Sequence, residues 1–295
     1  MYLENRLIAM VDVLGFADSI KTRERLESTT ARYSELIGRA KGHMFSPRAM
    51  QGSPNEPEPN FEYGQFVFDT LVLVSHPIDV KSVCRFVFAS IHLMELFFAE
   101  KFPLRGSIGV GDFCTDEVAN IFLSDAFKRL RTDEESQQWT GCVLLPEAEE
   151  VVVSSLLGNV QPSNLSQSSP LHYMSIPRKV STEQSKKRWC LNWSHFLSPV
   201  VIEEGLQHMH GDPVKQDNTR HYLDSLTELS DETQQLSAEF SPAKKIKTMK
   251  ARSGWRSKFE DDDGNAVNPG CGWTMAAYEN NIQPTSAPGL LPAVR

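Results

Sequence analysis

Two of the most apolar stretches in this chain each hold one carboxylate, and that pairing limits what the chain can fold into. Residues 7–16 read LIAMVDVLGF, with Asp12 as the single acid. Residues 66–74 read FVFDTLVLV, with Asp69 in the middle. Both segments are rich in β-branched and aromatic residues and read as strands. The first is apolar at consecutive positions, the pattern of a central strand covered on both faces. In the second, strict alternation places Val67, Asp69, Leu71 and Leu73 on one face. A carboxylate among such neighbours costs several kcal/mol unless an arginine, a proton or a metal ion neutralises it. If the two strands are neighbours in one sheet, Asp12 and Asp69 can converge on the same cations.

The rest of the chain supplies a frame for these strands. Gly15 permits a tight turn after the first strand, and a helix is expected over about 18–42. Residues 45–60, FSPRAMQGSPNEPEPN after Met44, carry the Pro, Ser and Asn of a loop. A hairpin follows, with one arm near Phe61–Val67 or the whole of Phe66–His76 as its second arm. Val83, Phe86, Val87, Ile91, Met94, Phe97 and Phe98 then recur at helical spacing within 79–101. LRGSIGVG, residues 104–111, reads as a strand whose Arg105, Ser107, Gly109 and Gly111 leave one face nearly bare. Such small residues admit a ligand or a second backbone. A polar helix is expected over 124–138 and a strand over 139–145. The order strand–helix–strand–strand–helix–strand is a ferredoxin-like βαββαβ pattern, so the fold class is α+β.

Beyond about residue 150 the pattern thins. Strands are expected at 172–177 and 188–193, and helices at 199–211 and 219–236. From Ser241 the composition turns basic, then acidic, then rich in Pro, Gly and Asn, as in a solvated tail. The expected division is a main folded domain over 1–195 and a helical extension with a tail over 196–295.

Composition excludes several function classes. A net charge of −8 gives no electrostatic encouragement to nucleic-acid binding. No run of about 18 apolar residues marks a membrane span, so no membrane partner is expected. The five cysteines are scattered without CxxC spacing, which argues for a reducing cytoplasm and against a disulfide or zinc framework.

MVDVLGF, FVFDTLVLV and LRGSIGVG, in this order, resemble the class III nucleotide cyclases. The resemblance covers about residues 5–195. It is closest to the pyrimidine cyclases of the bacterial Pycsar antiphage system, through Trp139-Thr140-Gly141 and the pair Asn192-Trp193. It implies that Asp12, Asp69 and the main-chain carbonyl of Val13 hold two divalent ions per site, Mn²⁺ or Mg²⁺. It implies conversion of UTP to 3′,5′-cyclic UMP and pyrophosphate at a homodimer interface, with a separate effector protein answering the product. CTP, ATP or GTP as substrate and a non-catalytic nucleotide-binding module are the alternatives.

Further site residues follow from that likeness. Phe16, in the turn after the first strand, is placed beside the nucleotide phosphates, where free N–H groups of a helix N-terminus would face them. Tyr63 and Gln65 are candidates for contacting the base, and Tyr63 can equally be a strand aromatic. Arg105 is expected either to contact phosphate or the partner subunit, or to form an ion pair, for example with Glu100. The family's transition-state Asn and Arg are not matched cleanly. The corresponding helix offers Lys128, Arg129 and Arg131 instead, and Arg178-Lys179 read as a surface pair.

Overall fold

The computed structural model describes residues 1–45, 58–116, 118–119, 121–157, 169–179, 187–194, 197–209 and 212–227. The described elements run β1 (Tyr2–Val13), α1 (Phe16–Ser19), α2 (Arg23–Phe45), β2 (Tyr63–Val67), β3 (Thr70–Val74), α3 (Val80–Ala99), β4 (Leu104–Asp116), β5 (Ile121–Ser124), α4 (Phe127–Ser136), β6 (Gly141–Leu144), α5 (Pro146–Leu157), β7 (Leu171–Ser175), β8 (Lys187–Leu191), α6 (Pro199–His208) and α7 (Pro213–Thr227). One sheet has the order β2-β3-β1-β4-β6-β8-β7, and β5 pairs with β4. The first four positions are the ferredoxin-like order, so the α+β class and the βαββαβ core are as expected from sequence. The core's four strands are antiparallel, whereas β4 and β6 run parallel.

β1 sits between β3 and β4, which explains its continuous apolar run. Leu7, Ala9, Val11 and Val13 join a large core with Leu71, Leu73 and residues of α2, α3 and α5. Ile8 and Met10 face the other side, in a smaller core with Val72, Val74, Phe113, Ala126 and Leu130. Both faces are therefore covered, the second by α4. The bare face of β4 has a packing role here: a Cβ on Gly111 would lie 2.9 Å from Cβ of Ala126, and one on Gly109 3.2 Å from Leu130. Gly106 is needed for a different reason, because a Cβ there would strike the β1 backbone at Met10, 2.4 Å away. The second backbone admitted by this strand is thus α4 with its leading turn on one side, and β1 on the other.

α3 is the central helix. The Asp79 side chain accepts from Ser82 N–H at 2.7 Å and caps its first turn. By length and composition α3 could cross a membrane, but Phe86, Val87, Phe97 and Phe98 are buried within the protein. Each such side chain stabilises the fold by roughly 2–3 kcal/mol relative to exposure.

Three expectations are revised. The helix expected over 18–42 is two helices, with a single turn at Phe16–Ser19 and a long one starting at Arg23. The segment 66–74 is not one strand: it breaks at Phe68-Asp69 into β2 and β3. The two late helices do not stand apart as an extension. Leu206, Met209 and Tyr222 belong to the main core, and a Cβ on Gly205 would fall 2.3 Å from the Phe98 ring. Tyr222 packs on Trp139 at 4.9 Å and on Trp193 at 5.8 Å, and its hydroxyl donates to the Leu191 carbonyl at 3.2 Å. Packing therefore runs across residue 195. The expected tail from Ser241 lies outside the described residues.

Candidate functional site

The two aspartates meet at one end of the sheet. Asp12 lies in the β1 register between Thr70 of β3 and Arg105 of β4. Asp69 is the second residue of the two-residue loop joining Val67 to Thr70. That loop is tied to β1, since Val13 N–H donates to the Asp69 main-chain carbonyl at 3.0 Å. Phe68, the first loop residue, has φ 58 and is 87% exposed. Glycine is the favoured residue at a positive-φ position of a two-residue hairpin, so a bulky aromatic there is held at a cost. The Tyr33 hydroxyl of α2 donates to the Phe68 carbonyl at 3.4 Å.

The electrostatics follow from this placement. Asp12 is half-buried, and burial pushes its carboxyl up from the ordinary 3.8 to about 6. The negative charges of Asp69 and Glu134 add to that rise, while a hydrogen bond from the Thr70 hydroxyl, at 3.1 Å, and the charge of Arg105 oppose it. Burial also raises the Tyr33 phenol well above its ordinary range, reinforced by Asp69 and Asp12. Three oxygen-bearing side chains thus share this region, and the positive charges that reach Asp12 are those of Arg105 and Arg131.

Arg105 does not supply that charge freely. Its Nε donates to Glu134 at 2.6 Å, a second guanidinium nitrogen pairs with the same carboxylate, and Nη1 donates to the Gln137 carbonyl at 2.9 Å. Its ion-pair partner is Glu134 rather than Glu100, which pairs with Arg39. Burial raises Glu134, and the adjacent Arg105 opposes the rise. The pair continues into a polar network. Gln137 Nε2 donates to Ser107 Oγ at 3.0 Å and to Asp133 at 2.9 Å, and Arg178 Nη2 donates to Asp133 at 2.6 Å. Arg178 is therefore part of the structure behind the site rather than a loose surface cation. Arg131 pairs with Glu135 at 2.7 Å, and Arg129 lies 3.2 Å from Glu147.

The other expected residues are spread along the same region. Phe16 packs its ring on Tyr33 at 4.8 Å, beside the aspartate pair, but α1 is only one turn and provides no extended helix terminus. Gln65 is cross-strand from Val72, which is cross-strand from Met10, so its row is two residues from that of Asp12. This is about 7 Å along the strand. Tyr63 is two residues further, about 13 Å from the Asp12 row, and packs on Phe113 at 4.8 Å. Trp139 and Trp193 are fully buried, and Asn192 Nδ2 donates to the Ser169 carbonyl at 2.9 Å. Those motifs serve packing and do not line the aspartate site.

The donor set suits hard divalent ions. Among the described residues no group of three or more His, Cys, Asp or Glu side chains forms a cage. A pair of carboxylates is what Mg²⁺-type sites use when substrate phosphates and water complete the shell. A cation here would also offset the burial that raises Asp12 and the repulsion from Asp69 that adds to it. Sequence reasoning missed Thr70, Tyr33 and Glu134. Thr70 was within reach as the neighbour of Asp69, whereas the approach of Tyr33 and Glu134 depends on helix packing.

No family model matches this chain, and no curated protein matches it. Solved structures similar to it include the adenylyl cyclase CyaB from P. aeruginosa, at 9% identity and TM-score 0.40, over 65% of this chain and 95% of that one. A rhodopsin-guanylyl cyclase catalytic core with converted specificity, in complex with ATPαS, matches at 9% identity and TM-score 0.37, over 65% and 97%. A bacterial light-regulated adenylyl cyclase matches at 8% identity and TM-score 0.35, over 70% and 99%.

Proposed function

We propose that this chain is a nucleotide cyclase of the class III type, with a pyrimidine nucleoside triphosphate, UTP foremost, as substrate. The observation that carries this reading is that Asp12, on β1, lies beside Asp69, in the tight turn leading into the neighbouring strand β3, with Arg105 withheld by Glu134. Asp12, Asp69 and the Val13 carbonyl would hold two divalent ions, Mn²⁺ or Mg²⁺. When bound, such ions supply the positive charge that acidifies a ribose hydroxyl and stabilises a departing pyrophosphate. The protein's own part is positional. The main-chain bond from Val13 to Asp69 fixes the two carboxylates relative to each other. Thr70 orients one oxygen of Asp12, and Phe16 with Tyr33 forms an apolar wall that limits water beside them.

The reaction joins the 3′-oxygen to the α-phosphorus and breaks the α–β bridge, releasing pyrophosphate and one proton to solvent. Its class is an in-line exchange of oxygens at phosphorus. Tyr63 and Gln65 are too far along β2 to serve the same aspartates directly. They are better placed to grip the base of a nucleotide bound across a twofold interface, which is why a homodimer belongs to the proposal. The β4–β5 arm offers apolar surface for a second copy, with Ile121 50% and Leu123 63% exposed. The choice of UTP, the antiphage role and a separate effector answering cyclic UMP rest on the sequence likeness alone, and the cytoplasmic setting on the scattered cysteines.

The test is product identification after incubating the purified protein with UTP, CTP, ATP and GTP and Mn²⁺. Cyclic UMP should dominate. Asp12→Ala and Asp69→Ala should each lower turnover at least ~1,000-fold while circular dichroism stays unchanged. Cyclisation of ATP or GTP at equal or higher rate would overturn the pyrimidine assignment. Undiminished turnover in both variants would overturn the cyclase reading itself.

A further inference from the structure

Phe68 is disfavoured twice by its own fold. Among the described residues, three that are not glycine take a positive φ: Asn5, Phe68 and Lys101. Asparagine visits that region readily, and Lys101 follows the end of α3, where the left-handed conformation is common. Phe68 has neither excuse, and at 87% exposure its ring also stays in water. Had β2 continued unbroken, Phe68 would share a face with Phe66. Phe66 stacks on Phe97 at 6.2 Å and packs against the larger core. The turn takes Phe68 out instead, and its ring joins neither apolar core. A single exposed apolar side chain is ordinary. An exposed ring on a backbone that glycine would fit better is not, because glycine would remove both penalties at once.

The loop beneath the ring is tied on both of its residues. The Tyr33 hydroxyl donates to the Phe68 carbonyl at 3.4 Å, and Val13 N–H donates to the Asp69 carbonyl at 3.0 Å. The ring is therefore carried on a fixed backbone, with about 3.8 Å between its Cα and that of Asp69. Strain kept beside a candidate site, on a side chain with no packing role inside the chain, points to a contact with something outside it.

We propose that the Phe68 ring packs on the ribose of the nucleotide held at Asp12 and Asp69, as a positioning residue. This rests on the cyclase reading above and adds the group that covers the sugar. In that reading the ribose carries the attacking hydroxyl and so lies at the carboxylates. The base is assigned to Gln65 and Tyr63, further along β2. The residue next to Asp69 therefore meets the sugar. A ribose presents C–H surface that an aromatic face covers without competing for its hydroxyls. Such cover limits the sugar's rotation and keeps bulk water from the attacking oxygen. It acts on the geometry of attack and leaves the carboxylates' hold on a cation unchanged.

Two measurements on the full chain test this. In steady-state kinetics with UTP and Mn²⁺, Phe68→Gly should lower kcat/KM at least tenfold with Mn²⁺ affinity within twofold, and Phe68→Tyr should recover most of the loss. The second measurement is acrylamide quenching of the indole introduced by Phe68→Trp, read as the difference from the unsubstituted protein and its five tryptophans. With Mn²⁺ present, 3′-deoxy-UTP, which lacks the attacking hydroxyl, should reduce quenching at least twofold. Ribose 5-triphosphate, which lacks the base, should do the same, and inorganic triphosphate should not. Equal protection by inorganic triphosphate overturns the proposal, as does protection that requires the base. Undiminished kcat/KM in Phe68→Gly overturns it too, and so does loss of a dimer in that variant, by making the ring a subunit contact. A chain that cyclises UTP while the indole stays unprotected loses this contact alone. A chain that cyclises no nucleotide loses the cyclase reading and this contact with it.

Discussion

Asp12 and Arg105 face each other across adjacent strands, yet the fold treats their charges in opposite ways. Arg105 is surrounded: Glu134 and the Gln137 carbonyl take its donors, and the network runs on through Ser107, Asp133 and Arg178. Asp12 accepts from the Thr70 hydroxyl and has a second carboxylate nearby, and the arginine whose charge reaches it across the strands is the one Glu134 holds. A satisfied buried pair fixes how α4 sits on the sheet. A half-buried acid beside a second acid carries a burial and repulsion cost that a bound cation can relieve. The contrast separates what holds the site in place from what the site is for.

Removing the carboxylates themselves carries the largest expected effect, the loss of turnover already described. Next comes the partner of Arg105. Glu134→Ala leaves a guanidinium buried without its counter-ion and should destabilise the protein by about 3 kcal/mol, measured by urea unfolding. It should also lower the Asp12 pKa, because one negative neighbour is gone and Arg105 is released. A stability change below ~1 kcal/mol would show that the pair does not hold α4.

A smaller effect is expected from pH. The folded chain binds the Asp12 proton more tightly than the unfolded chain, because its carboxyl is raised from 3.8 to about 6. Its contribution therefore favours the fold below about pH 4 and is lost as pH rises through 6. For this half-exposed group the loss is on the order of 1 kcal/mol once solvent screening is allowed for. Metal binding needs the carboxylate, so Mn²⁺ affinity should rise about tenfold between pH 5 and pH 7. Calorimetric titration at the two values, with Asp12→Asn as control, checks both the sign and the residue. A flat profile would remove Asp12 from the metal's donors.

The smallest effect concerns the loop that carries Asp69. Phe68→Gly relieves the positive φ and should stabilise the protein by about 1 kcal/mol, seen as a higher melting temperature. If Mn²⁺ affinity is unchanged in that variant, the aromatic side chain has no part in holding the carboxylates.

How much of this was legible beforehand depends on the range of the interaction. The alternating and continuous apolar patterns of β1, β3 and β4 are local properties, so the βαββαβ order could be read from them. The paired acids were legible too, because a charge inside an apolar run is conspicuous in one dimension. The break at Phe68-Asp69 was only half legible: an arm ending near Val67 was one of two readings, and FVFDTLVLV contains no Gly, Pro or Asn to decide for it. The break exists because β2 folds back on β3, and Val67 pairs with Thr70. Arg105 could be named, but not its partner, since Glu134 lies 29 residues away on another element.

The amino-acid order alone determined which residues are apolar, where strands and helices can form, and that two acids needed an explanation. Tertiary structure alone decided that Asp69 sits on a turn rather than inside a strand, that Glu134 occupies Arg105, and that α7 closes the core through Tyr222. The physical reason is distance along the chain. Periodicity and propensity act between near neighbours, whereas charge pairing and close packing are settled only when remote segments arrive at the same place.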